Sequence, residues 1–307
     1  MKRAITLFAA AAAVSLLGGC KGGDDYSRYA AYHPLPKGAE VDHVDGMKLV
    51  WHDEFDVDGR PGPDWSYEKG FVRNQELQWY QEDNCFVENG TLVLEARRDT
   101  VRNPDYNPEA DPRDWKHARP YAAYTSGSVN TRNSFTYKYG KLVVRAKISV
   151  AKGCWPAIWT LGNKLGWPDG GEVDLMEYYV VGDNDTPTIL ANVAWGGERR
   201  AEWRTTWHNL ERFLAKDPDW VEKYHVWVMD WTPEEIVLSL DGEVLNRVAL
   251  SETVNKGRTE GQNPFSNDDP DFRDYILLDH AIGQNGGDPS QTAFPQRYYI
   301  DYVRVYQ

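Results

Sequence analysis

The chain has 307 residues, 41% of them hydrophobic, and carries a formal net charge of −13. This length suits one large monomeric domain. The negative charge argues against a nucleic-acid partner, because a phosphate backbone attracts clustered Lys and Arg. It also makes a strongly sulfated polysaccharide a poor ligand, although Arg199, Arg200 and Arg204 could form a local basic patch. The 13 Trp and 18 Tyr residues supply flat, amphipathic rings that suit a partly wet binding site.

The first twenty residues have the pattern of an export signal. Lys2 and Arg3 precede an apolar run over residues 4–17, which is too short for a permanent membrane span. The run ends in Leu-Gly-Gly-Cys, which resembles a bacterial lipoprotein signal with Cys20 as the lipidated residue. We therefore expect a signal peptide over 1–19, a lipidated tether over 20–40 and one folded domain over 41–307. The protein would be exported to the outer-membrane surface and contact the membrane only through its lipid. The alternative is an ordinary cleaved signal with a chance cysteine.

Short β-strands follow, because alternating or β-branched segments lie between turn signals. They are Thr91 to Arg97, Lys141 to Ser149, His225 to Trp231, Ile236 to Leu240, Val244 to Val248 and Tyr298 to Tyr306. Short strands joined by turns favour a β-sandwich, since each sheet has one face to bury. A short helical excursion is expected within residues 211–224.

Three polar connections look too long for plain hairpins, and loops of that length usually carry function or disorder. They are residues 99–120, 182–188 and 251–273. Two cysteines, Cys85 and Cys154, lie in the expected domain. They could form a disulfide in an oxidising compartment or remain as two buried thiols.

The most informative segment is Glu-Val-Asp-Leu-Met-Glu over residues 172–177. Side chains two apart on a strand share a face, so Glu172 and Asp174 point the same way. Glu177 joins them only if one extra residue at Leu175-Met176 forms a β-bulge. The two Glu carboxyl groups would then lie roughly 5 to 6 Å apart, a separation typical of retaining rather than inverting glycosidases.

Spacing alone does not identify the triad, since acids at i, i+2 and i+5 occur five times in the chain. One other instance precedes the first convincing strand, and three contain a proline and predict turns. These are Glu40-Asp42-Asp45, Glu109-Asp111-Asp114, Asp217-Asp219-Glu222 and Asp269-Asp271-Asp274. Residues 172–177 differ by their apolar filling and by flanking aromatics, namely Trp155, Trp159, Tyr178 and Tyr179.

Further segments match one family in order along the chain. They are Trp51 to Phe55, Asn74 to Tyr80, Val87 to Leu92, Tyr124 to Gly127, Tyr139-Gly140, Trp231 to Pro233, Asp241-Gly242 and Ile300 to Tyr306. With the triad, they make the chain resemble glycoside hydrolase family sixteen, in the bulged-strand branch of laminarinases, agarases and related endo-glycanases. The resemblance implies an all-β, concanavalin-like jelly-roll sandwich with a substrate cleft across its concave sheet.

The resemblance also assigns roles to the triad. Glu172 matches the nucleophile that forms a covalent glycosyl-enzyme, and Glu177 matches the acid/base, whose pKa should be raised. Asp174 would hydrogen-bond the nucleophile, so that the three acids titrate as a group. Catalysis requires no cofactor in this scheme.

Substrate-binding residues are implied in the same way. One cleft wall would consist of Asn74, Glu76 and Trp79. The subsites on the non-reducing side would face Trp155 and Trp159, and the opposite wall would contain Trp195 and Asn285.

A structural calcium ion is a further expectation from the resemblance. Its ligands would be Glu54, Gly90 and Asp301, and calcium prefers such oxygen ligands. The alternative is that Asp301 pairs with Arg304 or with neighbouring backbone.

Two departures from the family pattern bear on the substrate. Ala194 stands where laminarinases usually carry His, and Ser128 stands where many carry Arg. We expect a retaining endo-β-glycanase that hydrolyses internal β-1,3 or β-1,3/1,4 linkages. The departures raise the alternative of an endo-β-galactosidase acting on galactans or mucin poly-N-acetyllactosamine. A non-catalytic glycan-binding lipoprotein and a transglycosylase remain as further alternatives.

Overall fold

The computed structural model describes residues 43–182 and 184–307, and two antiparallel sheets dominate this part of the chain. The first has nine strands in its described part, of which seven follow the order β1-β2-β20-β11-β16-β17-β18, while β6 pairs with β20 and β5. Their bounds are β1 His43–Val44, β2 Met47–Asp53, β5 Cys85–Val87, β6 Leu92–Ala96, β11 Gly140–Lys147, β16 His225–Trp231, β17 Glu235–Leu240, β18 Glu243–Ala249 and β20 Gln296–Tyr306.

The second sheet has seven strands among the described residues, in the order β15-β14-β13-β12-β19-β10-β3. Their bounds are β3 Ser66–Tyr67, β10 Ser128–Asn130, β12 Cys154–Gly162, β13 Glu172–Val181, β14 Thr186–Gly196, β15 Ala201–Asn209 and β19 Asp274–Ile282. This sheet has β15 at one edge and carries the acidic triad on β13.

Smaller elements connect the two sheets. Two short pairs are formed by β4 Gln78–Tyr80 with β9 Tyr124–Ser126, and by β7 Val101–Arg102 with β8 Tyr121–Ala122. The described helices are α1 Trp115–Ala118 and α2 Glu211–Leu214, and the 3₁₀ turns are Glu82–Asn84, Trp220–Glu222, Leu250–Glu252, Gly257–Thr259 and Gln284–Gly286.

The core lies between the two sheets and explains the alternation in the sequence. Buried apolar residues of both sheets form one continuous cluster, including Leu142, Val173, Trp227 and Val303. Each sheet therefore buries one face against the other, as in a sandwich. The predicted all-β jelly-roll is confirmed, and the helical excursion in 211–224 consists of α2 and one 3₁₀ turn.

One predicted loop is wrong. Residues 182–188 were expected to form a long connection, but Val181 pairs with Thr186, so β13 and β14 form a tight hairpin. The longer segments 99–120 and 251–273 do consist mainly of turns and short helices.

The cysteines of the domain are free and buried rather than bridged. Burial raises the pKa of the Cys154 thiol to about 12 and that of Cys85 further. Cys20 and the expected signal and tether lie outside the described residues. Within residues 43–182 and 184–307, no helix is long and apolar enough to cross a membrane.

Candidate active site

A β-bulge in β13 places the three acids on one face. Asp174 pairs with Asn192 and Glu177 with Leu190, so three steps along β13 match two along β14. The extra residue sends both Leu175 and Met176 into the core. Glu177 consequently faces outward with Asp174, and the predicted bulge is confirmed.

Glu177 is held by neutral hydrogen-bond donors. Trp155 Nε1 donates to Oε1 at 3.0 Å, Asn192 Nδ2 donates to Oε2 at 2.7 Å, and the Tyr179 hydroxyl lies 3.2 Å from both oxygens. Asn192 Nδ2 also donates to Asp174 Oδ2 at 2.9 Å. The amide therefore ties the middle acid to Glu177.

Burial raises the pKa of all three acids of the triad. Burial raises the pKa of Glu177 to about 8, and the charge of Glu172 adds to this effect. Burial raises the pKa of Glu172 to about 7, opposed by hydrogen bonds from Trp167 and Asp174. Trp167 Nε1 donates to Glu172 Oε2 at 2.6 Å. Burial and the two flanking carboxylates also raise the pKa of Asp174, which favours a protonated Asp174 between them.

The triad opens into a cavity of about 610 Å³. Its lining contains Arg73, Asn74, Glu76, Trp155, Ala157, Trp159, Leu161, Trp167, Glu172, Glu177, Tyr179, Trp203, Asp279, Gln284 and Asn285. Aromatic walls with a few convergent polar groups are typical of a small-molecule or glycan site. The cavity therefore brings together five of the seven predicted substrate-binding residues.

One wall is a buried polar network on the loop before β4. Glu76 is buried and accepts from Gln78 Nε2 at 2.6 Å and from Asn74 Nδ2 at 3.3 Å. Burial raises its pKa to about 7. On β19, Asp279 accepts from Tyr80 at 2.7 Å and from Trp159 at 2.6 Å.

Two predicted cleft residues lie elsewhere. Trp195 packs in the core between the sheets, so its assignment to the cleft wall is wrong. Its neighbour Ala194 pairs with Glu172 and takes the outward face, which sends Trp195 inward. Trp79 does not line the cavity, since it packs edge-on against Phe71.

Several lining residues were missed by the sequence analysis, namely Arg73, Trp167, Tyr179, Trp203, Asp279 and Gln284. Tyr179 was recoverable, because it lies two residues from Glu177 on the same strand face. Trp203 and Asp279 depend on strand pairings between distant segments, which spacing along the chain does not reveal.

The predicted calcium ligands do not fit an ion as they stand. Both oxygens of Glu54 accept from Arg304, at 2.8 and 2.7 Å, and Asp301 accepts from Arg145 Nη1 at 2.6 Å. Over residues 43–182 and 184–307, no three His, Cys, Asp or Glu side chains are grouped to hold a metal. The alternative to calcium binding was a pair between Asp301 and Arg304. Asp301 pairs with Arg145 instead.

The cleft wall with Asn74 and Glu76 rests on the long loop that contains α1. Asn74 and Gln75 both have positive φ, at 53° and 54°, a conformation that costs energy in non-glycine residues. Arg119 donates to the carbonyl oxygens of Glu76 at 2.6 Å and Gln75 at 3.0 Å. Its guanidinium also covers the Phe71 ring at 5.3 Å. Arg119 therefore holds a strained segment in place.

Comparison with known proteins agrees with this geometry. The sequence profile of the glycosyl hydrolases family 16 matches residues 73–266. A Beta-glucanase of Rhodothermus marinus is 30% identical over 87% of this chain and 87% of its own length.

Solved structures extend the comparison. A structure from work on endo-acting O-glycanases with which human gut bacteria initiate mucin breakdown has a TM-score of 0.73 and 30% identity, covering 86% of this chain and 92% of that one. The laminarinase catalytic domain of Thermotoga maritima has a TM-score of 0.64 and 32% identity, covering 85% of this chain and 98% of its own.

We expect Arg119→Ala to raise KM for a polymeric substrate several-fold with little change in kcat, because it releases two hydrogen bonds worth about 1 kcal/mol each. Steady-state kinetics measure this split. Arg113→Ala is the matched control, since Arg113 lies in the same loop and pairs only with exposed Asp111. Arg119→Lys should recover part of the loss. An equal fall in kcat for Arg119→Ala would contradict a role in wall positioning.

Glu76 should make stability pH-dependent. Its pKa is about 7 in the folded protein against 4.5 unfolded, so its contribution is complete below pH 4.5 and is lost as pH rises through 7. We expect Glu76→Gln to stabilise the protein by roughly 3 kcal/mol at pH 8 relative to its effect at pH 4. Denaturant unfolding at both pH values measures this, with the exposed Glu260→Gln as control. The same change at both pH values would show that folding does not shift the pKa of Glu76.

Proposed function

We propose that this glycoside hydrolase, which belongs to the glycosyl hydrolases family 16, cuts internal β-linkages of a neutral glycan by double displacement. The first candidate substrate is a β-1,3 or β-1,3/1,4-glucan. The observation that carries the mechanism is the bulge in β13, which places Glu172, Asp174 and Glu177 together on the cavity side of the sheet.

The contacts of Asp174 support a retaining reaction. The bulge places it between Glu172 and Glu177 on one face of β13, and Asn192 Nδ2 donates both to it and to Glu177, so the acids are close neighbours in the cleft. Retaining enzymes keep their carboxyl groups about 5 to 5.5 Å apart, while inverting enzymes need about 6.5 to 9.5 Å to admit a water. The compact triad fits the shorter separation.

The surroundings of the two glutamates and their match to the family assign the steps. Glu177, whose pKa is raised by burial and whose partners Trp155, Tyr179 and Asn192 are all neutral, holds the proton and donates it to the glycosidic oxygen as the bond to the anomeric carbon breaks. Glu172, which matches the nucleophile of the family, attacks the anomeric carbon and forms a glycosyl ester. Glu177 then takes a proton from water, whose oxygen attacks the same carbon and releases Glu172.

The charge of the cavity supports a neutral substrate. Four acids line it, namely Glu76, Glu172, Glu177 and Asp279, against the single lining cation Arg73. Arg73 is itself paired with Glu68. No cation among the described lining residues is left to balance a sulfate or uronate group, and burying such a charge without a partner is costly.

A second candidate is an endo-β-galactosidase activity on galactans or mucin poly-N-acetyllactosamine. The outward-facing Ala194, opposite Glu172, supports it, because laminarinases usually carry His there. The likeness to the mucin O-glycanase structure also supports it, at a TM-score of 0.73. Pure glycan capture without cleavage is disfavoured, because a binding protein needs no bulge to align two glutamates.

For the cellular site, we propose export and lipidation at Cys20, with the domain tethered at the outer-membrane surface. The support is the Leu-Gly-Gly-Cys sequence after a basic and apolar leader. Metabolic labelling with a palmitate analogue would detect the attached lipid. Equal labelling of the wild type and of Cys20→Ala would refute lipidation at Cys20.

A panel of laminarin, mixed-linkage β-glucan, agarose, galactan and mucin O-glycans, with product sizing, tests the proposed activity. We expect shortened oligosaccharides from laminarin or mixed-linkage glucan, and less than a few per cent of that turnover for Glu172→Gln, since roughly 10⁴-fold or more is lost with a nucleophile. Glu222→Gln, from another copy of the same acidic spacing, is the matched control. Binding without cleavage on every glycan would instead support a capture protein.

Glu177→Gln should separate the two chemical steps. On an aryl glycoside, whose leaving group needs no proton, we expect the variant to form the glycosyl-enzyme but hydrolyse it slowly. Added azide should restore turnover and yield the β-glycosyl azide, because azide needs no general base. The wild-type pH profile should lose activity on its alkaline side as Glu177 loses its proton. An α-glycosyl azide, or no rescue, would contradict the assignment.

A further inference from the structure

Two exposed tryptophans extend the row of catalytic residues towards the sheet edge. Glu172 pairs with Ala194, which pairs with Trp203 on β15. Glu177 pairs with Leu190, which pairs with Trp207. Each catalytic glutamate therefore has a tryptophan in its own row, two strands or roughly 10 Å away.

The contacts of the alternate residues fix which face these tryptophans take. The Thr206 hydroxyl donates to the Ala191 carbonyl, and His208 Nε2 contacts the Leu245 carbonyl of the other sheet. These side chains lie on the inner side of β15. Because strand side chains alternate, Trp203, Thr205 and Trp207 take the cleft side.

The exposure of these side chains sets the row apart from the core. Trp203 is 43% exposed and Trp207 58% exposed, while Thr205 between them is partly buried. Four residues of strand separate the two indoles by about 13 Å along β15. The result is an exposed row with Thr205 between two indoles, and Trp203 also lines the catalytic cavity. An exposed apolar row continuous with a site marks a place for ligand.

The two halves of the cleft differ, and the difference indicates on which side of the scissile bond this row of tryptophans lies. The half over β12 and β19 is lined by the buried residues Trp155, Trp159, Glu76 and Asp279. It suits the sugar that becomes covalently attached and must be held in one orientation. The half towards β15 ends at an open sheet edge, which lets the first product leave and water enter.

We propose that Trp203 and Trp207 form a subsite groove for neutral sugar residues on the leaving-group side of the scissile bond. This inference rests on the proposed glycanase function. The indole faces stack on the apolar faces of sugar rings, and Thr205 offers a hydroxyl to the ring substituents. The groove raises kcat/KM for chains that extend beyond the cleaved bond, because its binding energy is used only by such substrates.

A comparison of two substrates tests the groove. Laminarin extends on both sides of the scissile bond, whereas 4-nitrophenyl β-laminaribioside ends there with a small aryl group. We expect Trp207→Ala to lower kcat/KM on laminarin about tenfold, with a change of about twofold or less on the aryl glycoside. Trp203→Ala should act in the same direction. Tyr106→Ala, an exposed aromatic outside the cavity lining, is the control.

Other outcomes have distinct meanings. If the wild type cleaves laminarin and Trp207→Ala cleaves it equally well, the groove is refuted while the proposed function stands. Equal losses on both substrates would place Trp207 in structural support and also refute the groove. If the wild type cleaves only mucin O-glycans, the two substrates to compare become those glycans and a 4-nitrophenyl N-acetyllactosaminide. A wild type inactive on all of them overturns the proposed function and this inference together.

Discussion

The site depends on one extra residue in one strand. Without the bulge at Leu175 and Met176, strict alternation would turn Glu177 into the core and leave an apolar side chain in the cleft. With it, two apolar residues enter the core in succession and the acid returns to the outer face. The register of the neighbouring strands shifts at the same place, between Ile158 and Trp159 on β12. Catalytic geometry is thus built into the backbone.

The surroundings of the triad follow from the need to keep an acid protonated. A cation beside Glu177 would lower its pKa, and the acid would lose its proton at neutral pH. Its direct partners are instead an indole, a phenol and an amide, from Trp155, Tyr179 and Asn192. These donors satisfy the buried oxygens without opposing charge, so burial keeps the pKa high. Arg73, the lining cation, is engaged by Glu68.

The sequence predicted those parts of the site that depend on a single strand. Alternation placed Glu172 and Asp174 together and required the bulge, and the family resemblance assigned Trp155 and Trp159 to the cavity that they line. The sandwich also followed from short alternating strands. The local sequence pattern was sufficient for these features, because each of them depends on a segment of about ten residues.

Features that depend on pairing between distant strands were not predictable in this way. Trp195 was assigned to the cleft by the family resemblance, but its strand register turns it into the core. Trp203 reaches the cavity only because β15 pairs with β14. The calcium ligands were carried over by position, whereas Arg304 and Arg145, which occupy those carboxylates, lie on strands paired at long range.

Ala194 affects the site in two ways, through its side chain and through its position in the sheet. As a departure from the family pattern it removes a polar contact near the scissile bond. In the sheet it stands between Glu172 and Trp203, on the outward face of β14. Ala194 is fully buried on that face, so a larger side chain there would have to displace the side chains that cover it. The methyl group lets those side chains close over β14 between the nucleophile and the edge strand, so the same substitution that removes a polar contact also changes how this side of the cleft packs.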